Sequence, residues 1–169
     1  MTRAMFDYET FATAQRIIRM CAERKLTIAT AESCTGGLVA GALTEIAGSS
    51  AAVLCGFITY SNEAKQRMLG VPAATLETFG AVSPETALAM AQGALKNSPA
   101  ELSVAITGIA GPGGGSDAKP VGLVQFAAAR RNGREIAREE RFGDPGRSVI
   151  RYRSVLTALA MLEALASGD

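Results

Sequence analysis

Three segments of the chain carry residues whose types and spacing could do chemistry. Ser33 stands in Glu32-Ser33-Cys34-Thr35-Gly36-Gly37, Lys65 closes Tyr60-Ser61-Asn62-Glu63-Ala64-Lys65, and residues 107–115 read TGIAGPGGG. A serine at a tight turn before a helix exposes its hydroxyl beside unpaired helix amides, for example those of Cys34, Thr35 or the two glycines. Such amides can stabilise a tetrahedral oxyanion. Gly36 and Gly37 would let backbone approach a ligand closely. The plainer reading makes Ser33 or Thr35 a simple helix cap. Cys34 is a rival nucleophile, although one residue beyond Ser33 it could instead face the interior.

Lys65 falls four residues after Ser61, near the first turn of a helix where a cation is slightly unfavourable. To accept the Ser33 proton its amine must be neutral part of the time. Burial lowers a lysine pKa from its usual value near 10.4 toward that condition. Tyr60 could orient or relay the proton, or be only a half-buried aromatic at a strand end. The glycine-rich segment has the composition of an anion nest, and Asp117 and Lys119 could close its rim. It matches neither GxxxxGK[ST] nor GxGxxG, and a plain surface loop is the alternative. Glu32, Glu63 and Glu85 could be read as a carboxylate cluster, but each has a local task at a helix start.

The elements that must position these groups follow from periodicity. Phe11, Ala14, Ile17, Ile18 and Cys21 recur at helical spacing and predict a helix over 8–24. Residues 26–31 read as a strand, followed by the SCTGG turn and a buried helix ending at Gly48. Residues 51–60 read as a central strand. Ser61 caps a helix through Met68 that Gly70 stops, and 73–79 is a short helix. Ser83-Pro84 starts another helix, running to Lys96. Residues 102–107 form a strand, and Asn132-Gly133 joins two more as an antiparallel hairpin. Asp144-Pro145 caps the last helix, with Val149, Tyr152, Leu156, Leu159 and Leu162 on one face. Its other side, including Val155, Met161 and Leu165, is also fairly apolar; extensive packing is the simple explanation, and part of it could serve a homodimer. Five strands and five or six helices make one α/β domain, a mixed sheet between helical layers. In such sheets ligands collect beyond the carboxyl ends of the strands, where the three segments should meet.

Composition narrows the chemistry. The 169 residues include no histidine, which removes a histidine triad, base or zinc ligand from this chain. Nothing has the spacing of a metal site. Seventeen Lys and Arg against sixteen Asp and Glu, with no Trp, argue against nucleic acid as a partner. Arg130, Arg131 and Arg134 form one small basic group and Arg147, Arg151 and Arg153 another; either could meet a phosphate, or be a solvated edge and helix face. Three cysteines without paired spacing suggest a cytoplasmic protein. The first twenty residues, broken by Asp7, Glu9 and Arg16, read as neither leader nor anchor, so no membrane partner is expected.

At TAESCTGG (residues 30–37) the chain resembles the CinA carboxyl-terminal domain family, which includes stand-alone bacterial nicotinamide mononucleotide deamidases. GFITYSNEAK (56–65), AVSPETALAMA (81–91), AITGIAGPGGG (105–115) and the later KPVGLVQFA match its other blocks in order. The resemblance implies a three-layer α/β/α fold with a mixed five-stranded sheet and one antiparallel strand. It also implies hydrolysis of nicotinamide mononucleotide to nicotinate mononucleotide and ammonia, with no cofactor. Its nucleophile falls on Ser33, its lysine base on Lys65 and its assisting tyrosine on Tyr60. Substrate contacts are expected from Thr35, Gly36, Gly37, Thr107, Gly108, Gly111, Gly113 and Gly114. Larger family members add an amino-terminal molybdopterin-binding-like domain, whose activity is not carried over. A nucleotide-binding or competence-related regulatory domain without turnover, and an amidase for a related substrate, are the alternatives.

Overall fold

In the computed structural model the described residues are 5–168, and a five-stranded sheet lies between two helical layers. Six helices and five strands follow in the order α1 (Tyr8–Arg24), β1 (Ile28–Glu32), α2 (Leu38–Thr44), β2 (Val53–Ile58), α3 (Asn62–Leu69), α4 (Ala73–Phe79), α5 (Pro84–Lys96), β3 (Leu102–Gly108), β4 (Leu123–Arg130), β5 (Glu135–Arg141) and α6 (Arg147–Ser167). The sheet order is β2-β1-β3-β4-β5. The pairs β1–β2 and β1–β3 are parallel, whereas β3–β4 and β4–β5 are antiparallel. Only β4 therefore runs against the other four, as expected.

Side-chain alternation along the strands divides the interior in two. Ile28, Leu102, Val104, Ile106, Val124 and Phe126 point toward α1, α2 and α6. Ala29, Ala31, Ala105, Ala127 and Ala129 point toward α5, with Leu69 and Leu76 of α3 and α4. Alanines on that second face let α5 sit close to the sheet. Gly93 of α5 closes the layer further: a β-carbon there would lie 2.0 Å from the Leu69 carbonyl oxygen. The approach holds the end of α3, the helix that carries Lys65.

Three expectations need correction. The strand from residues 51–60 is not central: β2 is an edge strand, and its residues alternate between half-buried and exposed. Its apolar run covers one helix-facing side and leaves Leu54 and Ile58 exposed on the other. Asp144-Pro145 does not cap the last helix, which begins after Gly146 with no side-chain cap. The buried stripe of α6 is Ile150, Val155, Ala158, Leu159, Met161, Leu162 and Leu165, while Val149 and Tyr152 are exposed. Extensive packing, the simpler reading of the other side, holds for Val155, Met161 and Leu165, because α6 faces α1 and α2 as well as the sheet.

The remaining boundaries follow local chemistry. Ser61 accepts the Ala64 amide at the start of α3, and Gly70 ends that helix in the left-handed region. Ser83 accepts the Thr86 amide above Pro84. No helix among the described residues is long and apolar enough to cross a membrane. The reading of the chain start as neither leader nor anchor includes residues 1–4, which lie outside the described residues.

Candidate active site

β1 delivers Ser33 to the end of the sheet. Its amide donates to the Ile106 carbonyl of β3 at 2.9 Å, so the serine leaves the strand under restraint. Across the β1–β2 pair, Thr59 donates its amide to the Glu32 carbonyl at 2.9 Å. The chain then turns at Ser61 into α3, which carries Lys65 back over the strand ends.

The two functional groups meet there. Lys65 Nζ lies 3.2 Å from Ser33 Oγ and donates to the Thr59 carbonyl at 2.8 Å. Ser33 is 8 % exposed and Lys65 only 1 %. No carboxylate pairs with Lys65 among the described residues. Burial therefore holds its pKa below the ordinary lysine value. The Cys34 thiol is pushed up to about 11 by burial, so it is uncharged near neutral pH and a poor nucleophile. A neutral Lys65 amine, with one N–H on the Thr59 carbonyl, keeps a lone pair for the serine hydroxyl.

Glu32, fully buried, settles the turn between Ser33 and α2. Its carboxylate accepts the amides of Gly37 at 3.0 Å, Val39 at 3.1 Å and Ala40 at 2.9 Å. It thus does the helix-start task expected from sequence. The Gly36 amide donates to the Ser33 carbonyl at 3.0 Å. Both glycine amides in the turn are thus occupied. The amides of Cys34 and Thr35 have no acceptor elsewhere among the described residues, which leaves those two for an oxyanion. The Thr35 hydroxyl is buried without a hydrogen-bond partner.

The glycine-rich loop closes the other side. Thr107 donates its hydroxyl to the Ala81 carbonyl at 2.7 Å, fastening β3 to the segment before α5. Gly108 must lack a side chain, since a β-carbon would meet Val124 at 2.7 Å. Gly111 and Gly114 have positive φ, Gly113 is exposed, and the amides of residues 113–115 have no partner among the described residues. Lys119 donates to the Phe79 carbonyl at 2.6 Å, at the surface.

Tyr60 and α6 complete the rim. Arg147 donates to the Gly111 carbonyl at 2.9 Å and to the Tyr60 hydroxyl at 3.1 Å. Arg151 reaches the Cys34 carbonyl at 3.0 Å and the Thr35 carbonyl at 3.3 Å. Tyr60, 61 % exposed, makes no hydrogen bond to Ser33 or Lys65. The structure therefore joins Ser33 to Lys65 directly and Tyr60 to the glycine-rich loop through Arg147. Sequence reasoning missed the Thr59 carbonyl and the convergence of Arg147 and Arg151. The signal for the arginines was their spacing of four, one helical turn. Clefts of about 480 Å³ beside α4 and α5 and 520 Å³ beside α1 lie away from this cluster and contain no comparable pair.

Comparison with known proteins agrees with this architecture. Residues 10–166 match the family model described as the CinA C-terminal domain. The chain is 48 % identical over 159 residues to the nicotinamide-nucleotide amidohydrolase PncC of Escherichia coli K12, covering 94 % of this chain and 95 % of that protein. It is 50 % identical over 146 residues to a CinA-like protein of Geobacter sulfurreducens, covering 86 % of this chain but only 35 % of that longer relative. Among solved structures, the competence/damage inducible protein CihA from Agrobacterium tumefaciens superposes with a TM-score of 0.95 at 58 % identity, covering 96 % of this chain and 99 % of that one.

Proposed function

The chain belongs to the CinA C-terminal domain family, and from that premise we propose that it hydrolyses the carboxamide of nicotinamide mononucleotide, giving nicotinate mononucleotide and ammonia. The observation that carries the reading is the 3.2 Å separation of Lys65 Nζ and Ser33 Oγ in a site without histidine. The PncC relative, similar over nearly its whole length, supplies the substrate class.

Ser33 Oγ attacks the carboxamide carbon while its proton passes to neutral Lys65. The carbonyl oxygen becomes an oxyanion, held by the amides of Cys34 and Thr35. Lys65, now an ammonium, protonates the amide nitrogen. Ammonia leaves and an acyl ester remains on Ser33. Water then attacks the ester, giving its proton to Lys65, and the acid departs as Ser33 regains its hydrogen. Each step moves protons or an acyl group and needs no metal. Tyr60, anchored by Arg147, assists at the mouth. Thr35, Gly36, Gly37, Thr107 and Gly108 shape the pocket, and the nucleotide phosphate rests against Arg147 and the loop of Gly111, Gly113 and Gly114.

The test follows ammonia release from nicotinamide mononucleotide, nicotinamide riboside and nicotinamide. The mononucleotide is expected to turn over with the highest kcat/KM, and nicotinate mononucleotide to appear in equal amount. Binding without ammonia release would contradict the reading and favour a regulatory nucleotide-binding domain. Salt-sensitive DNA binding that survives Ser33→Ala would favour a competence-related role.

A further inference from the structure

The Ser33 turn leaves two amides free, and each belongs to a peptide whose carbonyl is held elsewhere. In a planar trans peptide the C=O and N–H point in opposite directions. The Ser33 carbonyl, on the peptide carrying the Cys34 N–H, accepts from the Gly36 amide. The Cys34 carbonyl, on the peptide carrying the Thr35 N–H, accepts from Arg151 Nε at 3.0 Å across 117 residues of sequence. The first anchor is local and neutral. The second is a cation delivered by α6.

We propose that Arg151 is a positioning residue that aims and polarises the Thr35 amide as an oxyanion donor. Its charged N–H draws electron density toward the Cys34 oxygen and makes the opposite N–H of that peptide a stronger donor. A second bond to the Thr35 carbonyl at 3.3 Å makes the guanidinium span two successive peptides, so the turn cannot rotate about one contact. Glu32 holds the far side of the turn through the Gly37, Val39 and Ala40 amides. The segment is thus gripped from both ends, with Ser33 and the two free amides between. In this role Arg151 acts through the backbone carbonyls of Cys34 and Thr35. Lysine would supply the charge without the planar fork that serves two carbonyls.

This inference rests on the amidase reading of Ser33, and the experiment separates the two. Wild type, Arg151→Ala and Arg151→Lys are compared for ammonia release and for covalent labelling by a fluorophosphonate. In labelling, Ser33 Oγ bonds to phosphorus, fluoride leaves, and Lys65 takes the hydroxyl proton; the phosphoryl oxygen occupies the oxyanion position. In Arg151→Ala, kcat and the labelling rate are expected to fall together by roughly 10- to 100-fold, less than the 10²–10³-fold loss of a whole donor. KM should stay within about threefold, because the contact matters in the transition state. Arg151→Lys should retain an intermediate rate.

Arg151 also lines a cleft of about 190 Å³ with Phe6, Leu38 and Tyr152. Guanidinium ion, added far below unfolding concentrations, is therefore expected to restore part of the Arg151→Ala rate. Unchanged kcat and labelling per folded molecule would overturn the assignment, as would a loss confined to KM. If Arg151→Ala does not fold, the same comparison is made with Arg151→Lys and Arg151→Met. A wild type that labels at Ser33 but releases no ammonia would overturn the substrate reading, and labelling would still decide Arg151. A wild type that does neither overturns both.

Discussion

Lys65 Nζ and Ser33 Oγ lie 3.2 Å apart although 32 residues separate them, and both are almost fully buried. Two strand ends and one helix turn create the contact. Burial without a counter-ion biases the amine toward its neutral form, the form that can accept a proton.

The first prediction concerns pH. Because the folded pKa of Lys65 is lowered from 10.5, kcat/KM should rise with pH through that depressed value. Stability follows the same group. Between the folded pKa and the unfolded value the unfolded chain binds the extra proton, so wild-type stability gains with rising pH there; below the folded pKa this contribution is flat. Lys65→Met lacks this dependence. Its stability relative to wild type should therefore fall as pH rises through that window, measured by urea unfolding at several pH values. Lys65→Arg should be inactive throughout, since a guanidinium does not release its proton.

Glu32 provides a second test. Removing its carboxylate leaves the buried amides of Gly37, Val39 and Ala40 without their acceptor. Glu32→Ala should cost about 3 kcal/mol, or a Tm lower by roughly 6–12 °C for a chain of this size. Thermal unfolding followed by circular dichroism checks it; an unchanged Tm would show that the turn holds without this carboxylate.

A third prediction concerns packing behind the site. Gly93→Ala places a β-carbon 2.0 Å from the Leu69 carbonyl, and neither backbone can yield cheaply. The expected loss is about 3 kcal/mol, with kcat falling as α3 shifts Lys65. Urea unfolding and turnover, measured on one preparation, read the two effects.

Much of this site was legible in the sequence because its key steps are local. Ser61 and Gly70 bound a helix by their own hydrogen bonds, which places Lys65 one turn inside it. Ser33 follows a strand and precedes a glycine pair, so its position at a turn needs no tertiary information. The parts that escaped depend on packing between distant segments. Nothing local says that Arg147 and Arg151 reach Gly111, Tyr60, Cys34 and Thr35, because that depends on how α6 crosses the sheet. The same ambiguity hid the buried stripe of α6, which is apolar on more than one side. β2 read as central because Ala51–Phe57 is apolar apart from one glycine, yet an edge strand can expose alternate apolar residues.

The acyl step has its own signature. If Ser33 carries the acyl group, hydroxylamine should intercept the ester, yielding a hydroxamate and free Ser33 while ammonia release continues. Mass spectrometry of the products checks this; nicotinate mononucleotide alone, at high hydroxylamine, would argue for direct attack by water.

The measurement closest to the centre of the account is ammonia and nicotinate mononucleotide production by wild type, Ser33→Ala and Lys65→Met, with folding and substrate affinity verified for each. Both variants are expected to bind the mononucleotide and to lose at least about 10³-fold in kcat, the scale for removing a nucleophile or its base. Turnover at the wild-type rate in either folded variant would contradict the proposed pairing of alcohol and amine.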